Sequence, residues 1–208
     1  MTITYYGHSC FKIQSKDLIL IIDPFDKSIG FNPPRFRVDI VLVSSQKPDH
    51  NNVSSIPEGH FLINGPGEYE VKNCLIKGID SSDKDSKPTT IYKIETEGLR
   101  VCHLGDSGEA VLQDNIPETL GEVDILIIPV GGKETLDYKK AIEFLNQIEP
   151  RIVIPMHYKI SGLKLPLDYL DNFAKEMGVD PKKSLDKLII KKKDLPQEGT
   201  EVVVLKAG

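Results

Sequence analysis

Val41-Leu-Val-Ser-Ser-Gln-Lys-Pro-Asp-His-Asn-Asn52 carries an apolar run straight into a polar turn that ends on Asp49-His50. A carboxylate and an imidazole side by side at the end of a buried strand can present ligands to a divalent metal. Alone, the pair equally describes a solvated turn. Its weight comes from three other apolar runs that stop in the same way. Val101-Cys-His-Leu-Gly-Asp106 ends on His103 and Asp106, Ile125 to Pro129 leads into Val130-Gly131-Gly132, and Ile152 to Pro155 leads into Met156-His157. Strands that deliver their polar residues to a common edge build a site there, because rigid elements hold side chains more closely than free loops do.

Outward from that segment, the first half of the chain is a succession of short strands. Ile3 to Tyr6, Cys10 to Gln14, Leu18 to Asp23 and Ile40 to Val43 are rich in β-branched and aromatic residues. Phe61 to Asn64, Glu68 to Val71, Cys74 to Ile79, Thr90 to Glu95 and Leu99 to His103 continue the pattern, broken by Gly65-Pro66-Gly67 and Thr96-Glu97-Gly98. Ser81 to Pro88 is polar and reads as an exposed loop with no part in packing. The second half changes texture. Apart from Asp124, Val123 to Pro129 is apolar throughout, as is Ile152 to Pro155, which fits strands covered on both faces. Tyr138 to Ile148 and Leu167 to Met177 repeat apolar residues at helical spacing, the latter stopping at Gly178. Leu188 to Ile190 and Val202 to Leu205 read as closing strands. Strands first, then strands alternating with helices, predict two sheets face to face with helices outside, in one domain over residues 1–208.

Composition narrows the function classes. A formal net charge of −5 over 208 residues leaves no basic surface for nucleic acid. Cys10, Cys74 and Cys102 are odd in number, lack C-x-x-C spacing and lie in apolar runs, which fits a reducing compartment. There is no apolar leader after Met1, and the longest apolar run, Leu18 to Ile22, is far too short to cross a bilayer. The expectation is a cytoplasmic protein that meets a small molecule, anionic ones included, and neither nucleic acid nor membrane.

Seven landmarks stand in order between residues 3 and 160: Gly7-His-Ser-Cys-Phe11, Ile22-Asp-Pro-Phe25, Asp49-His-Asn51, Gly65-Pro-Gly-Glu-Tyr69, His103-Leu-Gly-Asp106, Pro129-Val-Gly-Gly132 and Ile154-Pro-Met-His157. As a set they resemble the metallo-β-lactamase superfamily, and within it the small cytoplasmic branch related to the ascorbate-phosphate lactonases. The resemblance implies an αββα sandwich of the α/β class, two mixed β-sheets with helices on the outer faces and a metal site on one edge. The family loop is H-x-H-x-D-H, whereas this chain has Ser45-Gln-Lys47-Pro-Asp49-His50. Ser45 and Lys47 replace the two leading histidines, and the loop 81–85, near the family's next histidine, holds none. Those imidazoles make the family's first metal site, so that site is degenerate here. The second set is complete: Asp49, His50, His157 and Asp106, the carboxylate that the family shares between its two sites.

Two carboxylates and two imidazoles suit one divalent metal, Zn²⁺ before Fe²⁺ or Mn²⁺, with a site that takes no metal as the other outcome. Lys47 is expected to point into the vacated position, within reach of Asp106 or Asp49, supplying one positive charge where a metal supplied two. His8, Lys47 and Ser45 are expected around the substrate or behind the ligands. His103, inside an apolar strand, reads as a hydrogen-bonded core residue, and His60 as a surface one. Lys133, Thr135 and Lys159 follow site-edge strands and could meet an anion. Two functions follow. One is a hydrolase that uses a single metal on an ester, lactone or phosphoester, with Asp49 or Asp106 orienting water. The other is a catalytically inactive descendant that binds a small anion or a protein partner.

Overall fold

The computed structural model describes residues 1–81, 88–112 and 116–208. Thr2–Gly7 (β1), Cys10–Gln14 (β2) and Ile19–Ile22 (β3) are successive antiparallel neighbours. Ile40–Leu42 (β4) and Phe61–Ile63 (β5) extend that sheet in parallel beyond β3, and Leu188–Ile189 (β12) closes it beside β1. The second sheet begins as an antiparallel meander of Gly67–Val71 (β6), Cys74–Asp80 (β7), Thr90–Thr96 (β8) and Leu99–His103 (β9). It continues in parallel through Ile125–Pro129 (β10), Ile152–Met156 (β11) and Glu201–Val202 (β13). The result is two mixed sheets of six and seven strands, the sandwich that the strand-rich sequence and its landmarks predict.

Side-chain alternation shows how the layers are filled. Leu20, Ile22, Ile40 and Leu42 enter the main core, while Ile21, Val41 and Val43 point the other way into a second cluster with Phe25, Ile29 and Leu163. A strand whose side chains are buried on both faces is covered on both sides. In the seven-stranded sheet the outer cover is helical. Tyr138–Ile148 (α2) connects β10 to β11, begins at Asp137, whose side chain accepts the Lys140 N–H, and buries Ala141, Phe144 and Leu145. It packs on Asp171–Glu176 (α3), and a short Ile116–Leu120 (α1) adds Leu120 to the same core. The outer cluster of the six-stranded sheet draws on no α-helix and is roofed by loops and 3₁₀ turns.

Several elements depart from the sequence reading. The last helix starts at Asp171, not Leu167, because the backbone of the preceding residues is already engaged. The Asp168 N–H donates to Gly131 O, and Asp168 O accepts the Lys159 N–H. The final strand is Glu201–Val202, shorter than 202–205. The expected exposed loop falls on residues 82–87, outside the described residues; Ser81 at its start is buried, with its hydroxyl 3.0 Å from that of Ser107. No described helix is long and apolar enough to cross a membrane.

The two sheets are joined directly along one edge. The Thr90 N–H donates to Ser44 O at 2.8 Å, and the buried Tyr92 hydroxyl lies 2.9 Å from Val43 O and 3.2 Å from Ile63 O. At the opposite end of β10, Asp124 is 3 % exposed and takes hydrogen bonds from Arg100 N, Nε and Nη2 and from Lys192 Nζ. Burial would raise its carboxyl, but these donors outweigh it and hold it at about 2. Asp124→Ala is expected to cost about 2 kcal/mol at pH 7, since it removes the buried acceptor of Arg100 and Lys192 and leaves the guanidinium only the exposed Glu122. A depressed carboxylate stabilises above its unfolded value of 3.8 and loses that contribution as pH falls towards about 2. The gap between wild type and variant should therefore narrow below pH 4 in urea titrations. Equal stabilities at pH 7 would contradict the assignment.

Candidate metal centre

The joined edge is where the polar strand ends collect. His8 follows β1, Asp23 follows β3 and His157 follows β11, and all three have left-handed backbone, with φ of 55°, 50° and 53°. Such conformations cost of order 1 kcal/mol or more for a side-chain-bearing residue and cluster at functional sites. The His157 N–H donates to His8 O at 2.8 Å, which ties a turn of one sheet to a turn of the other. Gly131 permits the approach, because a Cβ there would lie 2.1 Å from His157 O.

Three imidazoles converge in the resulting cleft. One ligand-capable atom from each of His8, His50 and His157 lies within 4.8 Å of the others, all three rings being buried. His8 Nε2 stands 3.2 Å from His50 Nε2 and 3.0 Å from Asp49 Oδ2. His50 Nε2 is 3.8 Å from Asp49 Oδ2 and 3.5 Å from Asp106 Oδ1, and His157 Nε2 is 3.8 Å from that same Asp106 oxygen. The far nitrogen of His50 donates to buried Asp23, Nδ1 to Oδ2 at 2.9 Å. Asp23 also accepts the Ser44 N–H at 2.7 Å and the Ser44 hydroxyl at 2.6 Å. A carboxylate behind an imidazole fixes its tautomer and turns the other nitrogen's lone pair towards a metal.

Protonation follows from these contacts. Burial works against a charged His50, but Asp23, Asp106 and Asp49 outweigh it and raise the ring to about 9. Burial lowers His157 well below the usual imidazole value, and the neighbouring rings of His8 and His50 lower it further. His8 is also lowered by burial, against the pull of Asp49. Its Nδ1 is buried without a hydrogen-bond partner. An unpaired lone pair costs less there than an unpaired N–H, so the proton belongs on Nε2, where it is donated to Asp49. Burial would raise Asp49, yet the His8 hydrogen bond and the His50 charge hold it well below the carboxylate range.

On the other side of Asp106 stands Lys47. Its ammonium lies 2.6 Å from Asp106 Oδ2 and 2.5 Å from Glu134 Oε2. Of the two carboxylates expected within its reach, Asp106 or Asp49, the first is the one it meets. Burial lowers Lys47, but the two carboxylates more than restore it and set it above the ordinary lysine value.

The profile of the family described as "Beta-lactamase superfamily domain" matches residues 2–157 of this chain. The chain belongs to the metallo-β-lactamase superfamily. A Thermotoga maritima member of that superfamily, described as a candidate Zn-dependent hydrolase, superposes with a TM-score of 0.80 at 31 % identity over 99 % of both chains. A UPF0173 protein of Pyrococcus furiosus is 28 % identical over 97 % of this chain and 100 % of its own length. A UPF0173 metal-dependent hydrolase of Salinibacter ruber is 26 % identical over 86 % of this chain and 95 % of its own.

Within this superfamily member, Asp49, His50, Asp106 and His157 are brought into one cleft. His8, read from sequence as peripheral, stands in the middle of it. Ser45 is buried behind the same loop: it pairs with Thr89 in an isolated β-bridge, and its hydroxyl is 3.4 Å from Lys47 N. Thr135 places its hydroxyl 3.3 Å from His157 Nδ1. Lys133 faces Asp168 at 3.6 Å, and Lys159 binds the carbonyls of Leu163 and Leu165, so both are engaged away from the imidazoles. His103 lies in the core, with Nε2 on Ser9 O and Nδ1 accepting the Gly105 N–H. His60 bonds its own loop through Pro57 O. Asp23 is the functional residue whose role sequence reasoning missed. Its signal was present, a lone carboxylate between the apolar Leu18 to Ile22 run and Pro24.

Proposed function

We propose that this protein is a hydrolase that works with one divalent metal, zinc before iron or manganese, on an ester, lactone or phosphoester of small size. The observation that carries the reading is the split use of Asp106, with Oδ1 towards two imidazoles and Oδ2 on an ammonium. His50, His157, Asp49 and Asp106 would hold the metal, a nitrogen and oxygen donor set that zinc accepts. A metal there supplies Lewis-acid polarisation of the scissile group and lowers the pKa of water. The protein's own groups do the rest. Asp49, 21 % exposed at its side chain and kept ionised, accepts a hydrogen bond from water, while His8 holds its other flank. Lys47 places a fixed positive charge beside the cleft, where it favours negative charge that develops on a substrate oxygen. Asp23 and Thr135 keep the His50 and His157 rings in place.

Three buried free cysteines support a reducing, cytoplasmic setting for this activity. The second reading, an inactive descendant that binds an anion, draws on the same ammonium at the cleft. The test is metal analysis of untagged protein followed by assays on aryl esters, lactones and phosphodiesters. Hydrolysis should vanish with chelator, return with Zn²⁺, and fall at least 100-fold in His157→Ala. Loaded protein that hydrolyses none of the three classes would favour the second reading.

A further inference from the structure

Asp106 and Glu134 converge on a single point. The carboxylate oxygens lie 2.6 and 2.5 Å from it, and the atom that occupies it is the Lys47 ammonium nitrogen. Two carboxylates that meet at one position form the beginnings of a cation site, and here the cation is part of the chain. We propose that Lys47 is a tethered cation that fills the second cation position of the cleft and holds the protein to one metal per chain. The inference rests on the single-metal reading above for what lies on the other side of Asp106.

Several features make the ammonium hard to displace. The Lys47 backbone is fixed in a tight turn, with its carbonyl accepting the N–H groups of His50 and Asn51 at 2.9 and 3.0 Å. The side chain therefore leaves from the same turn that carries Asp49 and His50, and its reach is set by the loop that builds the rest of the cleft. Asp106 is nearly inaccessible, with a side chain 3 % exposed, so a hydrated cation that replaced Lys47 would have to give up water on that side to reach it, although the Glu134 side stays open to solvent. A compact ammonium also satisfies two acceptors in geometry that a hydrated dication would need to strip its water to match.

The test counts metal ions by a readout independent of turnover. Metal-free wild type, Lys47→Ala and Lys47→Met are titrated with Mn²⁺, and bound equivalents are followed by electron paramagnetic resonance, in which two neighbouring Mn²⁺ ions give an exchange-coupled signal. Lys47→Met keeps the stem and removes the charge, so it stands in if the alanine variant does not fold. The expected result is one equivalent in wild type and a second, weaker one in both variants with a coupled spectrum, lost again when Glu134→Gln is added. One equivalent in wild type and one in the variants overturns the role of Lys47 and leaves the single-metal reading standing. Two in wild type also overturns it. None in wild type and one in the variants, abolished by Glu134→Gln, upholds Lys47 as the resident cation and removes the single-metal reading. None in any protein removes both.

Discussion

Affinity for a divalent metal should rise about tenfold per pH unit from pH 6.5 and level off near pH 9. The reason is His50. Its ring is held at about 9 by three carboxylates, so the metal-free protein carries a proton there that ligation must expel. Asp49 and His157 should not add to the slope, because the first is already ionised and the second already neutral throughout that range. The gain over the window is therefore roughly 100-fold or more. Metal-free stability should move the other way. A raised imidazole stabilises fully below its unfolded value of 6.5, and that contribution is lost as pH climbs through about 9. The loss is on the order of 3 kcal/mol. Competition against a chromophoric chelator at four pH values, beside urea melts of metal-free protein, measures both. A flat affinity profile would contradict the proton on His50.

Asp23→Asn should lower metal affinity 10- to 100-fold and destabilise the protein by about 3 kcal/mol, although no atom of Asp23 would touch the metal. Asp23 Oδ1 accepts the Ser44 N–H, and Oδ2 accepts both the Ser44 hydroxyl and His50 Nδ1–H. An amide offers one oxygen and one NH₂ in their place. With NH₂ towards His50, the ring must accept at Nδ1 and carry its proton on Nε2, the atom that faces the cleft. With NH₂ towards Ser44, a buried backbone donor loses its acceptor. Either arrangement removes the foremost of the three charges that raise His50, so the pH slope described above should level off at a lower pH in this variant. Calorimetric metal titration and a thermal melt read the two effects. Unchanged affinity would mean that the His50 ring is oriented by something other than Asp23.

The strands were readable because their side chains alternate or run continuously apolar. β2, β9 and α2 have the very boundaries that the pattern indicates. The start of α3 was not, since the residues before it keep helical spacing while their backbone is spent on Gly131 and Lys159, contacts that no local pattern records. The roof over the six-stranded sheet is likewise a tertiary outcome, assembled from Phe25 and Ile29 on the connection between β3 and β4 and Leu163 on a distant one. In the cleft, Asp49, His50, Asp106, His157 and Lys47 announced themselves as ionisable residues at the ends of apolar runs. His8 and Asp23 did so less clearly. What decides their roles is a left-handed turn that aims each inward, and a φ angle at histidine or aspartate leaves no mark on composition.

The hydrogen bonds from Thr90 to Ser44 and from Tyr92 to the ends of β4 and β5 have a mechanical meaning. They stitch the mouth of the sandwich shut along the very line where a hinge would otherwise lie. Because the cleft straddles that seam, its two walls cannot part without breaking backbone pairing in the core. Any adjustment to a ligand would then fall on the connecting segments around 46–52 and 131–137, the lips of the cleft, before it reached its jaws.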